Sequence, residues 1–333
     1  MRTVDKQSHA APAPATVPGR EPGRWPRQAS NGARRSGLPR HAEGTSPGTV
    51  AGAFRALAAD LRQVGVATPE LDARLLVCVA CDLTHEAFVL NPARPLTGPE
   101  AARLGKLAAR RADREPVSRL LGRREFWGRE FAIGAPTLDP RPDSETLVAA
   151  ALALVEESGG REAPLRVADL GTGSGCLLLT LLAELPHAEG LGLDVEEGAL
   201  HIAASNADAL GVRDRARFVC GSWLAAIGGV FDLVIANPPY VVSHEIDRLA
   251  PEVARFEPRL ALDGGRDGLD AYRAIVAELP RVMASSGIAA MEVGEGQAEA
   301  VAGLIARSGL GRSRPVQAWP DLSGAGRCLS FGH

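Results

Sequence analysis

Aromatic side chains are scarce in this chain, at 4 % of 333 residues, and no apolar run reaches the length of a membrane span. A helical membrane protein is excluded on that ground. The five cysteines (Cys78, Cys81, Cys176, Cys220 and Cys328) are odd in number, and three lie in apolar contexts. No disulfide framework is expected, and reduced thiols point to a reducing, cytoplasmic compartment. Cys78-Val79-Ala80-Cys81 has neither a second pair for zinc nor the strand context of a redox motif, so it reads as helix packing. None of the seven histidines falls into a metal-ligand spacing, and no metal is expected. With 45 % apolar and 23 % charged residues, the composition is that of a soluble globular protein long enough for two domains.

Residues 1–48 differ from the rest of the chain. They hold seven prolines, eight Lys or Arg and three Asp or Glu, with no periodic apolar face, and are expected to be a disordered extension. The segment lacks the apolar core of a secretory signal, and its prolines spoil an amphipathic transit helix. Its Arg-rich, acid-poor balance keeps organelle targeting open, beside an over-extended start site. Without it, 29 basic and 37 acidic residues remain, a net charge of about −8.

From Val50 the pattern becomes helical. Val50, Phe54, Leu57, Leu61 and Val64 form one apolar stripe. Thr68-Pro69 reads as an N-cap and first helical proline opening a second helix through Leu71, Leu75, Leu76 and Val79, and Thr97-Gly98-Pro99-Glu100 as a capping box opening a third. A separate helical domain is expected over residues 49–122, serving to bind a substrate protein. Residues 123–145 read as a hairpin and linker. Within them Phe126, Trp127 and Phe131 either clamp the domains together or line a pocket, and Asp143 or Ser144 caps the helix that begins near Thr146. Residues 146–333 are the expected catalytic domain.

Two motifs in that last region carry chemistry. Leu165 to Leu170 is an apolar, strand-like run that enters Gly171-Thr172-Gly173-Ser174-Gly175 and then the helical stretch from Cys176. Glycines there let backbone approach a ligand, and a helix N-terminus presents free N–H groups. A dinucleotide fingerprint would need a third glycine where Cys176 stands. The next strand ends in Asp194, nineteen residues beyond Gly175, where a carboxylate can hold both ribose hydroxyls of a nucleoside. A nucleoside without a pyrophosphate fits this spacing, and S-adenosyl-L-methionine is the expected cofactor. Phe231 to Ala236 is a second buried strand, ending in Asn237-Pro238-Pro239-Tyr240. A carboxamide and a stiff backbone carbonyl can together grip an NH2 group, which has two donors, and orient its lone pair.

These residues resemble the glutamine methyltransferases of the HemK type, which modify the Gly-Gly-Gln glutamine of peptide chain release factors. The resemblance covers roughly residues 50 to 333. It is carried by Arg114-Glu115-Pro116-Val117 with Gly122, Glu125-Phe126-Trp127-Gly128, Pro140-Arg141-Pro142-Asp143-Ser144-Glu145, Asp169 to Gly175, Asp194, the Asn-Pro-Pro-Tyr run, and Phe256-Glu257-Pro258 leading to Ala261-Leu262. It implies an α/β class I S-adenosylmethionine-dependent methyltransferase fold: a Rossmann-like, seven-stranded, mostly parallel sheet whose last strand is antiparallel. Gly287 to Glu292 suits its fifth strand, and the segments near Val316–Trp319 and Arg327–Phe331 suit a closing hairpin.

The resemblance further implies Asp169, Gly171, Thr172, Gly173, Ser174 and Gly175 at the methionine end of the cofactor. Asp194 would hold the ribose, Trp223 would lie beside the adenine, and Asn237 would touch the cofactor as well as the substrate. Asn237, Pro238, Pro239 and Tyr240 would hold the substrate glutamine, with Asn237, Pro238 and Tyr240 catalytic. Ser222 departs from the family, which commonly has an Asp before the tryptophan. The expected partner is a release factor, and the expected state a monomer. Three alternatives stay open: a ribosomal-protein glutamine methyltransferase, an adenine-N6 nucleic-acid methyltransferase, and a cofactor-binding module without catalysis. An acidic folded region without an evident basic stripe argues against nucleic acid, and the intact motifs argue against the third.

Overall fold

The computed structural model describes residues 48–225, 227–321 and 324–333. The expectation of disorder for residues 1–48 lies, but for Gly48, outside the described residues.

The first helices are α1 (Val50–Gln63), α2 (Pro69–Ala80), α3 (His85–Leu90), α4 (Gly98–Ala112) and α5 (Val117–Leu121). In α1 the apolar stripe buries Val50, Leu57 and Leu61. The capping box of α4 forms as expected. Thr97 accepts from the Glu100 N–H, Glu100 accepts from the Thr97 N–H, and Arg94 holds the Glu100 carboxyl down at about 2. In α2 the expected stripe is corrected. Leu71, Leu75 and Val79 are exposed, and of the four apolar residues only Leu76 is buried. The helix is turned so that Asp72 faces inward, where Arg111 of α4 donates to it at 2.7 Å between nearly buried side chains. A buried ion pair, once partnered, is held at a geometry that apolar periodicity alone does not register. The Thr68 cap is also corrected, because its hydroxyl donates to Asp72 at 2.9 Å and makes no cap bond.

Strands β1 (Arg123–Phe126) and β2 (Arg129–Ala132) form a hairpin whose two loop residues, Trp127 and Gly128, have φ of 54° and 68°. Two left-handed residues make the tight turn that suits the strand twist. Phe126 and Phe131 are buried in the core beside the sheet.

The remaining elements are α6 (Glu145–Ser158), β3 (Arg166–Leu170), α7 (Cys176–Glu184), β4 (Glu189–Asp194), α8 (Glu197–Ala209), β5 (Ala216–Cys220), β6 (Phe231–Ala236), α9 (Pro251–Ala254), α10 (Asp270–Val282), β7 (Met283–Glu292), α11 (Ala298–Arg307), β8 (Gln317–Pro320) and β9 (Gly326–Gly332). The seven-stranded sheet has the order β5-β4-β3-β6-β7-β9-β8. β9 runs antiparallel to both its neighbours, and the pairs among β3 to β7 are parallel. Strands β3 and β6 are buried on both faces because helices cover both. One core cluster packs Leu147, Leu154, Leu178 and Leu181 on one side of the sheet, and another packs Ile275, Leu279, Val301 and Ile305 on the other.

Register sets up the site. Leu170 of β3 lies opposite Leu193 of β4 and Ala236 of β6, and Ala236 lies opposite Met291 of β7. The next residue of each strand path, Asp194, Gly171, Asn237 and Glu292, therefore stands in one row at the carboxyl edge. The strand order reverses at β3, which is where α/β sheets open a crevice for ligands.

Candidate active site

A cavity of about 790 Å³ opens at that edge. Its wall takes in Gly171 to Ser174, Asp194, Trp223, Asn237 and Pro239 among the expected residues. Asp169, Gly175, Pro238 and Tyr240 adjoin these lining residues in the chain or through hydrogen bonds.

The glycine loop is held by its own backbone. The N–H groups of Gly171 and Thr172 both donate to Leu193 O at 2.8 Å, that of Gly175 donates to Thr172 O at 2.8 Å, and that of Gly173 donates to Asp194 Oδ2 at 2.9 Å. Four amides that could cradle a pyrophosphate are thus occupied. Gly171, Gly173 and Gly175 have φ of 74°, 55° and 80°, which only glycine adopts without strain. At Gly175 a Cβ would also stand 2.9 Å from Leu179 Cδ1 and 3.2 Å from Ala203 Cβ, so this glycine serves the close approach of the start of α7 to α8.

Asp194 accepts from Gly173 N–H and, through Oδ1, from Glu196 N–H at 3.0 Å. Each carboxylate oxygen keeps a further lone pair for a diol on the cavity side. Beneath the loop, Asp169 is fully buried. Thr172 donates to its Oδ2 at 2.7 Å, while its Oδ1, like the Ser174 hydroxyl, is buried without a hydrogen bond. Burial, with Asp194 nearby, lifts its carboxyl to about 7 against the Thr172 bond. Trp223 closes the wall over Gly171 in a left-handed conformation, φ 47°, that side chains other than glycine rarely adopt. A polar edge at Asp194, an aromatic wall at Trp223 and two unpartnered buried oxygens at Asp169 and Ser174 fit a nucleoside with a charged amino-acid tail.

At the other end stands Asn237, half-buried. Its NH2 donates to Ser144 Oγ at 3.1 Å, and Ser144 in turn donates to Glu292 Oε2 at 2.5 Å. The expectation that Ser144 or Asp143 caps α6 is corrected here. Neither caps it, because the Ser144 hydroxyl is committed to Glu292 and Asp143 faces Arg327 at 3.5 Å. Tyr240 donates to the other Glu292 oxygen at 3.4 Å, and burial pushes the phenol up to about 12. No described group donates to Asn237 Oδ1 or to the Pro238 carbonyl.

The loop from Asp263 to Asp270 braces the tetrapeptide from below. A Cβ on Gly264 would stand 2.9 Å from Pro239 O, and one on Gly268 would stand 2.5 Å from Tyr240 O, so both glycines are needed for this approach. Gln297 donates to Tyr240 O at 3.0 Å. Glu257 lies beside Pro258 of the cavity wall and ties that segment down. Its buried carboxylate accepts from Arg119 of α5 at 2.5 Å, Arg141 at 2.7 Å and the Asp139 N–H at 3.1 Å. In the sequence Glu257 has only a place in a motif, and Glu292 and Gln297 stand out in no way that assigns them a role. The one signal for Glu292 is a carboxylate ending the apolar run Ala289-Ala290-Met291.

Residues 53–122 match the family model described as PrmC N-terminal domain, and residues 149–255 match that of the methyltransferase small domain. The release factor glutamine methyltransferase of Rhodospirillum rubrum is 52 % identical over 269 residues, 81 % of this chain and 80 % of that one. This chain belongs to the release factor glutamine methyltransferase family. The relative from Bradyrhizobium diazoefficiens is 45 % identical over 282 residues, 85 % of this chain and 94 % of that one, and that from Cereibacter sphaeroides is 43 % identical over 280 residues, 84 % and 97 %. As a member, the protein is an S-adenosyl-L-methionine-dependent methyltransferase of the class I fold. Among the described residues, no helix is long and apolar enough to cross a membrane.

Proposed function

We propose that this protein methylates the side-chain amide nitrogen of the glutamine in the Gly-Gly-Gln motif of peptide chain release factors. The observation that carries the reading is Asn237. Its carboxamide stands in the same cavity as the glycine loop and Asp194, with its NH2 turned to Ser144 and its oxygen left for a donor.

Asp194 would hold the ribose hydroxyls, Trp223 the adenine face, and Asp169 and Ser174, through Gly171 to Gly175, the methionine end. When bound, S-adenosyl-L-methionine supplies a methyl carbon made electrophilic by the sulfonium. Asn237 Oδ1 and the Pro238 carbonyl accept the two N–H bonds of the substrate amide, which turns its nitrogen toward that carbon. An amide nitrogen is a poor nucleophile, so these two acceptors act by orientation and by favouring the positive charge that develops on the nitrogen; correct placement alone can supply about 7–11 kcal/mol. Pro239 stiffens the strand end, and Tyr240 braces it from behind through Glu292. Among the described residues no strong base lies on the wall beside Asn237, which suits proton loss to water after transfer.

The helical domain is assigned to release-factor binding. Leu71, Leu75, Val79, Val89 and Leu90 stay exposed on it, and its Arg111 and Arg114 reach Glu252, twelve residues beyond the tetrapeptide.

The test mixes the protein with methyl-labelled S-adenosyl-L-methionine and an unmodified release factor, beside a copy whose Gly-Gly-Gln glutamine is alanine. Label on the first alone, placed on that glutamine by peptide mass, is expected. Label on neither, with cofactor still bound, would reject release factors and leave a ribosomal-protein glutamine as the next substrate.

A further inference from the structure

We infer that Glu292 is a positioning residue for methyl transfer: acting through Ser144, it fixes the Asn237 carboxamide with its NH2 away from the cavity and its oxygen toward it. The inference rests on the function proposed above and explains how that site is kept in its working orientation.

Donor and acceptor capacity decides the setting. A carboxamide can turn over and exchange O for NH2 with almost no change of shape, and only one of the two settings can accept from a substrate amide. An ionised carboxylate accepts only, so a hydroxyl bonded to Glu292 Oε2 at 2.5 Å must be the donor. Having committed its one hydrogen there, Ser144 Oγ can only accept from Asn237. At 3.1 Å it therefore selects the NH2 face of the carboxamide. Glu292 thus dictates the setting of a group it does not touch.

Three further features keep the carboxylate in place. Glu292 is 1 % exposed at the end of β7, one step beyond the Ala236 and Met291 pair, so register sets it beside Asn237. Tyr240 occupies its second oxygen, and Tyr272 of α10 donates to its backbone carbonyl at 3.0 Å. Burial drives its carboxyl up to about 7, while Ser144, Arg327 and Tyr240 pull the other way. A carboxylate set in so apolar a place costs stability, and stability alone would favour an apolar residue there.

The test compares Ser144→Ala, Glu292→Leu and Glu292→Gln at about pH 8, above the value of about 7 to which burial lifts the Glu292 carboxyl. Turnover is measured with labelled cofactor and a release factor, and cofactor affinity by calorimetry. Ser144→Ala and Glu292→Leu are expected to lower kcat by about 10–100-fold, with KM and cofactor Kd changed by less than about threefold. Glu292→Gln keeps an acceptor oxygen for Ser144 and should recover about tenfold over Glu292→Leu. A readout independent of turnover is the side-chain NH2 pair of Asn237 in the nitrogen-15 spectrum, assigned by its loss in Asn237→Ala. Slow exchange with water in the wild type, lost in Ser144→Ala and Glu292→Leu, supports the lock. Unchanged exchange, unchanged kcat in Glu292→Leu, or an equal loss of kcat and cofactor affinity overturns it. If the wild type labels no release factor, the proposed function fails while the exchange measurement still decides the lock.

Discussion

Replacing Asn237 by alanine separates binding of the methyl donor from orientation of the acceptor. The side chain is half-buried and its one hydrogen bond runs to Ser144, so truncation should cost no more than about 1 kcal/mol of stability. The proposed cofactor anchors at Asp194, Trp223 and the glycine loop are untouched, and its Kd should stay within a few-fold. In the transition state the substrate amide carries positive charge, and a hydrogen bond involving a charged group is worth about 1.5–3 kcal/mol. Freeing the nitrogen to turn from the line of attack can remove up to a further factor of about 10². At about 1.4 kcal/mol per tenfold, the hydrogen bond alone predicts a fall in kcat of about 10–10²-fold, and the two effects together up to about 10⁴-fold. Turnover is followed with methyl-labelled cofactor and a release factor, and binding by calorimetry. A loss of cofactor affinity equal to the loss of kcat, or a kcat within tenfold of wild type, would refute the division of labour.

Asp169 should make cofactor binding depend on pH. An ammonium group needs the ionised carboxylate, which burial holds near 7, so affinity should weaken by about tenfold as pH falls from about 8 to 6, and Asp169→Asn should flatten that slope; an unchanged slope would remove Asp169 from the site. The same raised value has a stability consequence. The protonated form favours the native state, so this contribution is present at low pH and is lost as pH rises through about 7, and denaturant unfolding should find Asp169→Asn more stable than wild type above that point. Glu257→Ala leaves the nearly buried Arg119 without its carboxylate and should cost about 3–5 kcal/mol in denaturant unfolding, whereas a loss under about 1 kcal/mol would mean that water replaces the ion pair. Trp223→Gly removes an aromatic face where the backbone already favours glycine, so cofactor binding should weaken by about 1–3 kcal/mol; unchanged calorimetry would place the adenine elsewhere.

The sheet and the cofactor half of the site were legible because their signals are local. Val167 to Leu170 and Leu233 to Ala236 are strands buried on both faces, and each turns into its functional residues without a break, so chain order alone places Gly171 and Asn237 at the same edge. What stayed hidden depends on partners far away in sequence. The outward face of α2 follows from Asp72 meeting Arg111, and the commitment of Ser144 follows from Glu292, which lies 148 residues further along the chain. Apolar periodicity records which face meets oil, and it carries no information on which polar side chain will find a partner inside.

That difference bears on how such a reaction can be catalysed. A site working through an acid or base advertises a nucleophile or a histidine, but a weakly nucleophilic amide needs acceptors held at fixed angles, and acceptors look ordinary in sequence. The two offered here differ in what fixes them. The Pro238 carbonyl is fixed covalently by two successive proline rings, whereas the Asn237 carboxamide is free to rotate about its own bonds and needs a partner. Ser144 and Glu292 meet that need from the turn before α6 and the end of β7. The buried carboxylate is then the part of the site that converts sheet register into the orientation of a single side-chain oxygen.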